Sequence, residues 1–248
     1  MKKIVYIGLV FIISLCAACS DMNDSMEPYL SQGEIIYIAK SDSVKTYAGR
    51  DRFLLCFWMS DPRATELYIY WSQRKDSLVV SLSEGRNKAD SIEVFIGKEE
   101  GVSEGAYSLE LVTRDKLNNK SVTDEYNVNV YGNSFASSLL TRFIKSAKYN
   151  AKTSEITIIW GGSYSAKEYG VRMFYKSKDG IDMVETFTAE ALKKGVNTQY
   201  EDEKNTLVLK DMDIKEPLVY ETLYLPEPTA IDTFYTEKNP VTITGLPK

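Results

Sequence analysis

Histidine is absent from the 248-residue chain. That removes the side chain titrating nearest neutral pH and the commonest metal ligand. Ser-His-Asp and Cys-His catalysis are excluded, and transition-metal sites lose their usual donor. Cysteine is scarce, with three residues, Cys16, Cys19 and Cys56. Long apolar runs are missing too. Ile4 to Leu15 falls short of the about 20 residues a permanent membrane helix needs. Basic charge is outweighed: 30 Lys and Arg against 35 Asp and Glu leave a net charge of −5. That balance argues against a nucleic-acid partner, because phosphate binding needs a basic surface. It argues equally against broad electrostatic attachment to anionic lipid.

At the start of the chain, Lys2 and Lys3 precede the apolar run, and Cys16-Ala17-Ala18-Cys19 follows it. A basic n-region, a short h-region and small residues before a cysteine form a secretory signal. The arrangement resembles the lipobox of bacterial lipoproteins, with Cys16 where leucine is usual. Residues 1–18 are therefore expected to be a lipoprotein signal peptide, cleaved behind Ala18, with lipid on Cys19. The expected location is the outer membrane, lipid-anchored and at the cell surface. Residues 19–32 read as a polar tether containing Pro28. Its Asp21 and Asp24 are similar to the acidic export signal that follows the cysteine in surface lipoproteins of Bacteroidetes. Once Cys16 leaves and Cys19 carries lipid, Cys56 is the one thiol left and no internal disulfide can form. Hydrophobic residues, at 44% of the chain, must then supply the cores.

From Glu34 onward the pattern is short strands separated by turns. Candidates are Glu34 to Ala39, Phe53 to Trp58, Leu67 to Trp71, Ser77 to Leu82, Ser91 to Ile96, a strand opening at Gly105, and Tyr126 to Tyr131. The unbroken apolar run at Phe53 suggests burial on both faces or a central strand. Leu67, Ile69 and Trp71 share one face of theirs, with Tyr68 and Tyr70 on the other. Tyr107 fits a tyrosine corner, whose hydroxyl ties a strand start to nearby backbone. Asn118-Asn119 is a turn. Seven strands in about 100 residues is the count of an immunoglobulin- or fibronectin-III-like sandwich.

The second half repeats the plan. Trp160 ends a strand as Trp58 does, and Glu66 and Glu168 each stand eight positions after their tryptophan. Each opens an aromatic strand that runs into a charged turn. The chain is thus expected to be all-β: a first sandwich over 33–132 and a second over 133–248. The second carries a short helical insertion at Thr188 to Gly195. Its later strands are expected at Asn205 to Leu209, Leu218 to Leu225 and Val241 to Thr244. Pro226 and Pro228 mark an edge or crossing loop.

No constellation points to catalysis, a metal or a cofactor. The carboxylate clusters at Glu99-Glu100, Glu201-Asp202-Glu203 and Asp211-Met212-Asp213 read as solvated turns. Cys56 reads as a buried thiol with no base to activate it. Trp58, Trp71 and Trp160 read as core. The 17 tyrosines are the better lead, since sugar rings stack their C–H faces on aromatics. Candidates for ligand stacking are Tyr68 and Tyr70 on an outer sheet face, Tyr164 and Tyr169 around the loop pivot Gly161-Gly162, and Tyr220 and Tyr224 on one strand face. Each also has a structural reading, as sheet cover or domain interface.

Three stretches carry a family resemblance. They are Gly33-Glu34-Ile35-Ile36-Tyr37, Tyr70-Trp71 with Asp76-Ser77-Leu78-Val79-Val80, and Glu227-Pro228-Thr229-Ala230-Ile231-Asp232-Thr233-Phe234-Tyr235. They resemble the DUF4998 family of Bacteroidetes lipoproteins, which has no assigned catalytic residues to transfer. The resemblance implies a cell-envelope lipoprotein associated with polysaccharide utilisation. The expected role is non-catalytic glycan capture, with an oligosaccharide as partner. The alternative is a spacer or docking module that binds another envelope protein. The two differ in what they require: the glycan reader needs exposed aromatics around one concavity, whereas the docking module needs a flat or edge-strand surface.

Overall fold

The computed structural model describes residues 36–87, 89–198 and 203–247. Cys19, the signal segment and the tether lie outside the described residues, as do Glu34, Ile35, Glu201 and Asp202. The first seven strands are β1 (Ser43–Ala48), β2 (Arg52–Trp58), β3 (Ala64–Trp71), β4 (Asp76–Ser81), β5 (Ile92–Gly97), β6 (Gly105–Asp115) and β7 (Asp124–Val130). They form two antiparallel sheets, ordered β1-β2-β5 and β4-β3-β6-β7. Alternation puts Phe53, Leu55 and Phe57 of one sheet against Leu67, Ile69 and Trp71 of the other. β2 is the central strand of its sheet, as its unbroken apolar run foretold. Of the strand expected over Glu34 to Ala39, only residues 36–39 are described, and they hold one isolated bridge, Tyr37 to Lys120; β1 takes the edge of the sheet. Tyr107 forms the tyrosine corner, its hydroxyl accepting from Ser103 N and donating to Ser103 O at 3.0 Å each.

A short helix α1 (Asn133–Ser137) leads to the second sandwich. Its elements are β8 (Ile144–Asn150), β9 (Glu155–Trp160), β10 (Glu168–Lys176), β11 (Asp182–Thr188), α2 (Ala189–Lys194), β12 (Thr206–Leu209), β13 (Val219–Tyr224), β14 (Phe234–Tyr235) and β15 (Asn239–Pro240). The sheets run β8-β9-β12 and β11-β10-β13-β14, with β15 also on β13. The strand plan of the first sandwich is repeated, except that the last strand is split. Between its two pieces the Thr236 hydroxyl accepts from Thr222 N at 3.0 Å and so takes a place in the ladder. The strand expected at Val241 to Thr244 is absent; Thr244 only bridges Lys148.

The repeat is real, but two of its sequence markers are not equivalent positions. Trp160 faces the core, fully buried. Trp58 points to the other side of β2 from Phe57 and is half-buried, with Lys45 Nζ 5.5 Å from its ring centre. A shift of one residue along a strand exchanges its two faces. Of the tryptophans of the first sandwich, Trp71 is the one in the core. Likewise the β3–β6 register slips between Ala64 and Glu66, and the β10–β13 register between Glu168 and Gly170. Ala64, not Glu66, thus holds the place of Glu168.

The two sandwiches are fastened together by the segment 227–235. Ile231 N donates to Ala48 O at 2.8 Å. The Asp232 carboxylate accepts from Arg50 N (2.9 Å), Arg52 Nε (3.0 Å) and Arg52 Nη2 (2.7 Å). Glu227 Oε1 accepts from Asn129 Nδ2 (2.8 Å) and the Tyr131 hydroxyl (3.1 Å). Phe135 stands edge-on to both Tyr131 and Phe234, 5.0 Å from each. Gly49 is required here, because a Cβ would lie 2.7 Å from Asp232 Oδ2.

Candidate functional site

Arg142 enters the second sandwich just before β8 and is 1% exposed. Its backbone is pinned to β13: its N–H donates to Thr222 Oγ1 (2.7 Å) and its carbonyl accepts from the Tyr220 hydroxyl (2.8 Å). A buried guanidinium needs a counter-charge and hydrogen bonds. Nη1 donates to Glu168 Oε1 at 2.6 Å, and Nη2 to Gly161 O and Asn205 Oδ1 at 3.1 Å each. Nε has no partner. The other oxygen of Glu168 faces the Ser163 hydroxyl at 2.8 Å. Both side chains of this pair are almost wholly withdrawn from solvent.

Over this pair lies a cleft of about 590 Å³. Arg142, Glu168 and Asn205 line its base. The loop 162–166, between β9 and β10, forms one wall, and Ala189, Glu190 and Lys193 of α2 form the other. Local sequence explains α2. Thr188 caps it, accepting from Ala191 N at 3.1 Å. Leu192 anchors it, fully buried, and Gly195 ends it at φ +93°. Glu190 is taken by Lys194, at 2.8 Å one turn on.

Tyr164 is 57% exposed and lines this cleft. It also lines a smaller depression of about 130 Å³, together with Ser165, Phe135, Leu140, Lys167 and Tyr224. Lys167 Nζ lies over the rings of Tyr131 and Phe135, at 5.3 and 5.2 Å. Tyr164 is thus a wall shared by two neighbouring hollows.

The other expected tyrosines are placed differently. Tyr169 is 42% exposed at the bulge of β10 but lines neither hollow. Tyr220 and Tyr224 correct the expectation, because both are buried. Tyr220 packs edge-on against Trp160 at 5.2 Å. Tyr224 donates to Leu140 O at 2.6 Å, and burial pushes its phenol up to about 12. A ring enclosed in this way offers no face to a sugar. Tyr68 and Tyr70 do share the outer face of β3, stacked at 6.0 Å. Guanidinium groups already cover them: Arg114 over Tyr68 at 4.0 Å, and Arg74 over Tyr70 at 5.1 Å. Cys56 is buried, and burial raises its thiol. Among the described residues, no three His, Cys, Asp or Glu side chains are grouped to hold a metal. No helix among them is long and apolar enough to cross a membrane.

Sequence reasoning missed Arg142, Asn205 and Lys193. One cue was present for the first: a lone charge inside Leu139-Leu140-Thr141-Arg142-Phe143-Ile144, where a strand feeds a core.

Among solved structures, the chain is similar to the FN1–FN3 domains of chicken CNTN1 at 9% identity and a TM-score of 0.44. That match covers 83% of this chain and 64% of the other, so the chain spans about two thirds of that segment. It is also similar to a two-domain fibronectin type III segment of chicken tenascin, at 10% identity and a TM-score of 0.28, covering 82% and 97% of the two chains. No curated protein matches. The model of DUF4998, described as a domain of unknown function, matches residues 19–234, and the chain belongs to that family.

Proposed function

We propose that this protein is a non-catalytic cell-envelope lipoprotein, held in the outer membrane by lipid on Cys19, whose second sandwich captures glycan at the cell surface for a polysaccharide-utilisation system. The observation that carries the reading is the cleft of about 590 Å³ with Tyr164 exposed on its wall. An aromatic face suits the apolar side of a sugar ring, and the surrounding serines, Asn205 and charged groups suit its hydroxyls. Hydrolysis is a poorer fit. A glycosidase needs two carboxylates free to act as acid and base. Here both oxygens of Glu168 are engaged, and Glu190 is held by Lys194.

The test is a glycan array with the soluble 20–248 chain, followed by calorimetry. Tyr164→Ala should weaken binding of a positive glycan roughly fivefold to tenfold, from about 1 kcal/mol of aromatic contact. An empty array, or unchanged affinity in the variant, refutes the reading. For the anchor, Cys19→Ala should release the full chain from the membrane fraction. A spacer or docking module is the second reading, favoured by the fastened junction between the sandwiches. It gives the cleft no task, and a positive array would remove it.

A further inference from the structure

We infer that the glycan is acidic, and that Lys193 and Lys167 read carboxylates on either side of the ring that stacks on Tyr164. This deepens the glycan reading and rests on it. The argument is one of charges left over. At the base of the cleft, the positive charge of Arg142 is consumed by Glu168 at 2.6 Å. On the rim, Glu190 is paired with Lys194 at 2.8 Å, and Lys193 acts on the same carboxylate only through the weaker, longer-range attraction. Lys193 lines the same cleft, is exposed, and forms no ion pair among the described residues. In the adjoining depression Lys167 is also exposed, and the contacts of its ammonium are the rings of Tyr131 and Phe135. Neither hollow offers a carboxylate without a partner among the described residues.

Two cations that form no ion pair among the described residues therefore flank one exposed aromatic. A neutral sugar would leave both without an ion-pair partner among the described residues. A uronate chain stacked on Tyr164 would present carboxylates to both, each accepting a charge-assisted hydrogen bond from an Nζ–H group. The chain as a whole carries −5 and offers polyanions no general attraction. Selectivity for an acidic glycan must then come from these two side chains.

The experiment uses the 20–248 chain against acidic polymers (polygalacturonate, alginate, hyaluronan and chondroitin sulfate) and neutral ones (xylan, mannan, starch and β-glucan). Any acidic polymer that binds is compared with its carboxyl-reduced form. The expected result is binding of an acidic polymer, at least roughly tenfold weaker binding after carboxyl reduction, and a similar loss in Lys193→Gln with Lys167→Gln. Both lysines are exposed, and an unchanged thermal melt would confirm that the variants fold. Binding of neutral polymers alone overturns the inference and leaves glycan capture standing. So does equal affinity for acidic and carboxyl-reduced forms, or indifference to the lysine substitutions. Binding of none of them removes both.

Discussion

Replacing Glu168 by alanine strands the Arg142 guanidinium inside the second sandwich. Nη1 loses its 2.6 Å carboxylate partner, and Nε has none to begin with. Breaking one side of a buried ion pair costs about 3–5 kcal/mol, because the remaining charge stays desolvated. The cleft above lets water reach part of the vacated space, so the lower end of that range applies. With a urea dependence of about 2 kcal/mol per molar, the unfolding midpoint of the second sandwich should fall by about 1.5 M. Arg142→Met combined with Glu168→Leu removes both charges and keeps apolar volume. It should recover most of the loss, although Gly161 O and Asn205 lose their donor. Urea titration followed by circular dichroism measures all three variants. A shift below about 0.5 M for Glu168→Ala, or a double variant as damaged as the single, would show that the pair is not the electrostatic unit described.

Three further outcomes follow from particular contacts. Tyr107→Phe removes both bonds to Ser103 and should cost about 0.5–1.5 kcal/mol in the first sandwich, read by thermal melting. Gly170→Ala would place a Cβ 2.1 Å from Phe187 O; it should cost about 1–3 kcal/mol and lower amide protection along β10 and β11 in hydrogen exchange. The guanidinium of Arg52 holds the Asp232 carboxyl below its ordinary value, against the opposing effect of burial. Its contribution is therefore complete above the unfolded value of about 3.9 and is lost as pH falls through the lower folded value. Proteolysis between the sandwiches should accelerate across that window, and Asp232→Asn should show no such step.

The strand plan was legible because one physical rule writes it: alternation on half-buried strands and unbroken apolar runs on central ones. Phe53 to Trp58 and Leu67 to Trp71 followed that rule. In the described part of Glu34 to Ala39, residues 36–39, an apolar pattern corresponds to a single bridge beside the sheet. The strand β1, SVKTYA, went unread because an edge strand needs little apolar content. The exposure of Tyr164 was legible from its place in the loop after the Gly161-Gly162 pivot. Tyr220 and Tyr224 were misplaced because alternation says which residues share a face, not whether another element covers it. Arg142 could be suspected as a charge in an apolar setting, but its partners come from β10 and the segment before β12, which no local pattern connects.

Fastening at Asp232, Glu227 and Ile231 has a mechanical result. A pair of β-sandwiches joined by a bare linker would swing like beads on a string. Here one bead is bolted to the other, so the Tyr164 surface keeps a constant bearing relative to the first sandwich. The two units then turn as one, and freeing either takes the loss of several of these contacts together, not of one carboxylate alone.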